Sequence, residues 1–125
     1  MKQPISTEGA PSPIGPYSQG IVSSGRLLFV SGQTAKHPAT GEVKPDVRGQ
    51  TERCLENIKA IVEKAGGTLA NVVKVSAFLK DMASFAEYNE VYARYFPKPF
   101  PARTTVGADL PAGTLVEIDA ITALE

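Results

Sequence analysis

The chain has 125 residues, 42% of them apolar and 21% charged, and its 13 Lys+Arg balance 13 Asp+Glu to a formal net charge of zero. That length suits one domain over residues 1–125, able to bury roughly two-thirds of the surface its unfolded chain exposes. No basic excess is present to release counterions from nucleic-acid phosphates, a single cysteine excludes an internal disulfide or cysteine-clustered zinc, and a single histidine excludes a His cage or dyad within one chain.

Residues 1–16 carry Pro4, Gly9, Pro11, Pro13, Gly15 and Pro16. Proline fixes φ and lacks an N–H, so an irregular N-terminal arm is expected. Residues 17–22 and 26–31 read as two strands joined as a hairpin at Ser23-Ser24-Gly25. Leu27-Leu28-Phe29-Val30 is apolar without alternation, which suits a strand covered on both faces. Residues 46–65 read as a helix: Asp46 is a candidate cap, and Leu55, Ile58, Ile61, Val62 and Ala65 recur at helical spacing. Gly66-Gly67 closes it. Residues 72–80 read as a strand. Residues 81–96 read as a second helix, with Asp81 as candidate cap and Phe85, Tyr88 or Asn89, Tyr92 and Phe96 on one face. Pro97, Pro99 and Pro101 forbid its continuation. Residues 102–106 and 114–124 read as the last strands. The expected order is β-β-α-β-α-β-β. Two helices can cover one sheet face, yet Leu27 with Leu28, Val72 with Val73, and Phe78 with Leu79 put apolar side chains at both parities. An oligomer burying the second face is expected. No run approaches the ~18 apolar residues of a membrane span. The start, Met1-Lys2-Gln3-Pro4, has no apolar signal segment, so a cytoplasmic location is expected.

Few side chains invite chemistry. On the last strand Leu115, Glu117, Asp119 and Ile121 share one face. The two carboxylates are either a solvated edge or a functional pair on a partly dry surface. Arg103 starts a strand after three spaced prolines. It is either a surface cation or a fork of donors for a carboxylate. Gly15-Pro16-Tyr17 and Ser31-Gly32-Gln33 read as turns, or as places where backbone or ligand approaches closely. Cys54, at the edge of the first apolar helix stripe, reads as an inert buried thiol, and His37 as an exposed loop residue. Tyr88, Tyr92 and Tyr95 read as core and interface residues.

Five motifs then fall in order: Ile14-Gly15-Pro16-Tyr17-Ser18-Gln19-Gly20, Val30-Ser31-Gly32-Gln33, Leu55-Glu56-Asn57-Ile58, Phe100-Pro101-Ala102-Arg103-Thr104-Thr105-Val106 and Val116-Glu117-Ile118-Asp119-Ala120. Together they resemble the RidA/YjgF family over residues 10–124. The resemblance implies a chorismate-mutase-like α+β fold, a mixed sheet with two helices on one face. It also implies a homotrimer with a barrel-like centre and three sites in clefts between subunits. It implies hydrolysis of 2-aminoacrylate-type enamines and imines to 2-keto acids and ammonia, with no cofactor and no metal. By position, Arg103 matches the arginine that takes the substrate carboxylate and Glu117 the acid that orients or activates water. Tyr17, Gly32 and Asn89 match further pocket positions, and Thr105 stands where some members carry Cys. A non-catalytic carboxylate-binding module is the rival expectation. An RNA-directed translation inhibitor, which some members are described as, fits the balanced charge poorly. No nucleic-acid or membrane partner is expected.

Overall fold

Strand alternation sorts the apolar residues of this chain onto two sheet faces with different fates. The structure, a computed structural model, describes residues 2–125. Met1, the first residue of the expected arm, lies outside the described residues. The strands are β1 (Lys2–Ile5), β2 (Gly20–Ser23), β3 (Arg26–Gln33), β4 (Val72–Leu79), β5 (Ala102–Gly107) and β6 (Val116–Leu124). The helices are α1 (Val47–Lys64) and α2 (Phe85–Tyr95), with single 3-10 turns at Leu69–Asn71 and Met82–Ser84. Four strands form a mixed sheet in the order β3-β6-β4-β5, in which β4 and β5 run parallel and the other neighbours antiparallel.

Four expectations need correction. The arm is not irregular throughout: Lys2–Ile5 pairs antiparallel with β2, Pro4 facing Ile21. Proline fits there because an edge strand has one side that needs no donor. The order therefore gains a strand at its front. Residues 17–31 do not form a hairpin either, because β2 pairs with β1 and β3 pairs with β6. Continuity of apolar residues identifies strands but not their partners. The second helix also starts later, since Asp81 Oδ1 accepts from Ala83 N at 2.9 Å and so caps the 3-10 turn rather than α2. His37 is half-buried rather than exposed, its Nδ1 accepting from Ala39 N at 3.1 Å.

Asp46 caps α1 as expected, Oδ2 accepting from Gly49 N at 3.0 Å. The core lies between both helices and one sheet face. Cys54, Leu55, Ile58 and Val62 of α1 and Tyr88 and Tyr92 of α2 meet Val75, Ala77, Leu79, Val116 and Ile118, all fully buried. Sequence patterning did not reveal Gln50, which is also fully buried. Its Nε2 donates to Lys44 O and Gly113 O and its Oε1 accepts from Leu115 N, at 2.8–2.9 Å. A buried amide satisfied at both ends ties the start of α1 to the turn before β6. Among the described residues no helix lies on the opposite sheet face. There Leu27 is 55% and Phe29 68% exposed, and Phe29 lies across from Ile121.

Cys54 Sγ donates to Val116 O at 3.5 Å, and burial pushes its thiol up to about 12 from 9.0. Burial likewise raises Tyr88, Tyr92 and Tyr95. Each group keeps its proton in the folded chain at a pH where the unfolded chain releases it. The folded state then binds more protons, so stability falls as pH rises through this interval. The unfolding free energy from urea titration is expected to drop steadily from pH 9 to pH 11, by up to ~1.4 kcal/mol per pH unit for each of the buried groups Cys54, Tyr88 and Tyr92, and by less for the more exposed Tyr95. A flat free energy over that range would contradict the burial of these groups.

Candidate active site

The chain crossing from the arm into the fold sets up the site. Ser18 N donates to Pro101 O at 3.1 Å, Ser18 Oγ donates to Phe100 O, and Ser18 bridges Ala102 as a parallel pair. This clamp lays residues 14–17 along the start of β5. Tyr17 Oη accepts from Ile14 N at 3.2 Å, closing the segment on itself. Gly15 lies so near the site that an added Cβ would stand 3.2 Å from Arg103 Nη2 and 3.5 Å from Asn89 Nδ2.

Register decides where Arg103 points. It pairs with Val75 and Thr105 pairs with Ala77, and both β4 partners are core residues under the helices. Arg103 and Thr105 therefore lie on the helix-covered face. Four rings surround the guanidinium carbon: Tyr92 at 4.6 Å, Tyr88 at 5.2 Å, Tyr17 at 5.3 Å and Phe85 at 5.7 Å. Aromatic faces attract a cation electrostatically without accepting its N–H groups in full hydrogen bonds. Among the described residues, Arg103 Nη1, Asn89 Oδ1 and Tyr92 Oη are buried with no hydrogen-bond partner. Thr122 Oγ1 is the other such buried atom. Buried polar atoms of this kind are costly, so three gathered around one guanidinium mark a place built for something other than folding. The cleft beside them, about 300 Å³, is walled by Ile14, Tyr17, Met82, Phe85, Arg103 and Thr105.

Glu117 is elsewhere. It pairs with Phe78, whose β4 neighbours Ala77 and Leu79 point into the core, so Glu117 lies on the open sheet face. Gly32, at the irregularity in β3 between Val30 and Gln33, faces it. An added Cβ at Gly32 would stand 2.5 Å from Glu117 Oε2. Of the six expected site residues, one chain thus gathers Tyr17, Asn89, Arg103 and Thr105 on one face and Gly32 with Glu117 on the other.

Sequence reasoning missed part of this cleft. Tyr88 and Tyr92 read as core and Gly15 as a turn. Helical spacing shows that residues 85, 88 and 92 share a stripe, yet not that a cation lies against it. Among the described residues no three of His, Cys, Asp and Glu gather to hold a metal, and no helix is long and apolar enough to cross a membrane.

The chain matches the family described as Endoribonuclease L-PSP over residues 7–124. It is 54% identical over 123 residues to a RutC family protein of Pyrococcus horikoshii, covering 97% of each chain. Its fold is similar to that of RidA from the Antarctic bacterium Psychrobacter sp. PAMC 21119, with a TM-score of 0.77, 42% identity and coverage of 98% of this chain and 99% of the other. It is also similar to E. coli TdcF, whose structure holds bound serine, with a TM-score of 0.76, 39% identity and coverage of 99% and 100%. These matches run through the N-terminal clamp, the Arg103 strand and the Glu117 strand alike, and the chain belongs to the RidA/YjgF/RutC family.

Proposed function

We propose that this protein hydrolyses small 2-imino acids, and the 2-aminoacrylate-type enamines that feed them, to 2-keto acids and ammonia. The observation that carries this reading is the buried, unpartnered N–H of Arg103 inside an aromatic-walled cleft. A guanidinium presents parallel donors that match a carboxylate, and partial burial strengthens the attraction. Serine bound to TdcF, a small amino-acid carboxylate, supports the same ligand class.

The chemistry needs a second group, and Glu117 lies on the other sheet face of its own chain. We read the exposed Leu27 and Phe29 surface as the seat of a second copy, in a homotrimer. Each site then joins Arg103, Asn89, Tyr17 and Thr105 of one copy to Gly32 and Glu117 of the next. Arg103 holds the carboxylate, and Glu117 holds a water beside the imine carbon. The water oxygen adds to that carbon while Glu117 takes its proton, giving a carbinolamine. Glu117 passes that proton to nitrogen and then relays the carbinolamine hydroxyl proton to nitrogen as well, so the C–N bond breaks, the C=O forms and ammonia leaves with both hydrogens of the water. Water is the only co-reactant.

The test supplies serine or threonine to a purified dehydratase, which releases the enamine in situ. Keto acid is expected to appear faster with this protein than without it. Equal rates would reject the reading. Binding of a keto acid without any acceleration would favour the rival, a carboxylate-binding module. Gly32→Ala adds a further expectation. The added methyl meets the far end of Glu117. The side chain can move aside, so the unfolding free energy from urea titration should stay within about 0.5 kcal/mol of wild type. The displaced carboxylate should nevertheless cost about 10-fold in turnover, because positioning carries much of such a reaction.

A further inference from the structure

Thr105 lines the cleft beside Arg103, and its hydroxyl is tethered from behind. Thr105 Oγ1 and Tyr88 Oη are 3.1 Å apart, a distance at which either atom could donate. Tyr88 is fully buried and lies next to Asn89 on α2, its ring 5.2 Å from the Arg103 guanidinium carbon. Burial raises its pKa above the ordinary phenol value, and the Arg103 charge and the bond to Thr105 offset this only in part. The phenol therefore keeps its hydrogen at neutral pH.

The direction of the shared hydrogen bond follows from the neighbours. A guanidinium has donors and no acceptor. Tyr88 is fully buried and the hydrogen bond its hydroxyl makes is the one with Thr105 Oγ1, whereas Thr105 is half-buried and borders the cleft. The hydrogen that the phenol retains therefore goes to Thr105 Oγ1, because a buried donor left unpaired is costly. A threonine oxygen that accepts still has its own hydrogen to place.

We propose that Tyr88 is a positioning residue: it donates to Thr105 Oγ1 and so turns the Thr105 hydroxyl hydrogen into the cleft. There it serves as a second donor, beside Arg103, for an oxygen of the bound carboxylate. The inference rests on the reading that this cleft takes a small 2-imino or 2-keto acid.

The experiment titrates the full-length protein with 2-oxobutanoate by calorimetry. Tyr88→Phe and Thr105→Val are each expected to weaken binding by about 3- to 10-fold, the effect of one hydrogen bond. Thr105→Ser keeps the hydroxyl and is expected to bind like wild type. The double variant Tyr88→Phe/Thr105→Val is expected to bind no more weakly than Thr105→Val, since both changes delete the same donor. A merely structural Tyr88 would not give this coupling. Wild-type affinity in Tyr88→Phe, or losses that multiply in the double variant, would overturn the proposal. Should Tyr88→Phe not fold, full affinity in Thr105→Val overturns it equally. A wild type that neither binds 2-oxobutanoate nor accelerates keto-acid release would sink the reading of the cleft along with the inference. Binding by wild type with an indifferent Tyr88 would sink the inference alone.

Discussion

Arg103→Ala is expected to lower kcat/KM for keto-acid release by at least about 100-fold. Two charge-assisted hydrogen bonds to a carboxylate contribute roughly 1.5–3 kcal/mol each, and alanine forfeits both. Arg103→Lys keeps the charge but loses the fork and its stacking against Tyr17, Tyr88 and Tyr92. It should therefore raise KM by about 10-fold or more, since a point charge cannot hold a planar carboxylate at two points. Both variants should keep the wild-type mass by light scattering, because the Arg103 side chain turns toward α2, whereas Leu27 and Phe29 are the exposed apolar surface. Turnover within a factor of two of wild type in Arg103→Ala would remove the guanidinium from the mechanism.

Glu117→Gln should lower kcat by about 10²–10⁴-fold, the range typical of a general acid–base group, with a smaller change in KM. Glutamine keeps the size and one acceptor but cannot take the proton from water. The placement of the two residues on opposite sheet faces makes a sharper expectation. A site assembled from two copies is intact whenever one copy supplies Arg103 and its neighbour supplies Glu117. Arg103→Ala and Glu117→Gln chains, unfolded and refolded together in equal amounts, should regain up to about a quarter of wild-type activity if subunits mix at random. Each variant refolded alone should stay inactive. No recovery in mixed oligomers would mean that the two residues act within one chain, against the register of β4 with β5 and β6.

The order of elements from β2 onward was legible in the sequence because each element carries its own period. Residues 55, 58 and 62 repeat at helical spacing, and the last strand alternates Val116, Ile118 and Ala120 against Glu117, Asp119 and Ile121. The observed burial follows both patterns. Asp46 at its cap and the buried Cys54 were readable for the same local reason. Partner choice was not. The expected hairpin dissolved because β2 and β3, adjacent in the chain, pair with β1 and β6.

Composition left 13 Lys+Arg and 13 Asp+Glu as possible site groups, and it was the resemblance of the ordered motifs to a family that singled out Arg103 and Glu117 among them. That Arg103 and Glu117 stand on opposite faces of one sheet, and that Tyr88 and Tyr92 wall the first of them, came from the fold. Alternation tells which residues of a strand share a face. Which face belongs to the helices, and how neighbouring strands slide against each other, is set by pairings between residues far apart in the chain, which leave no periodic trace.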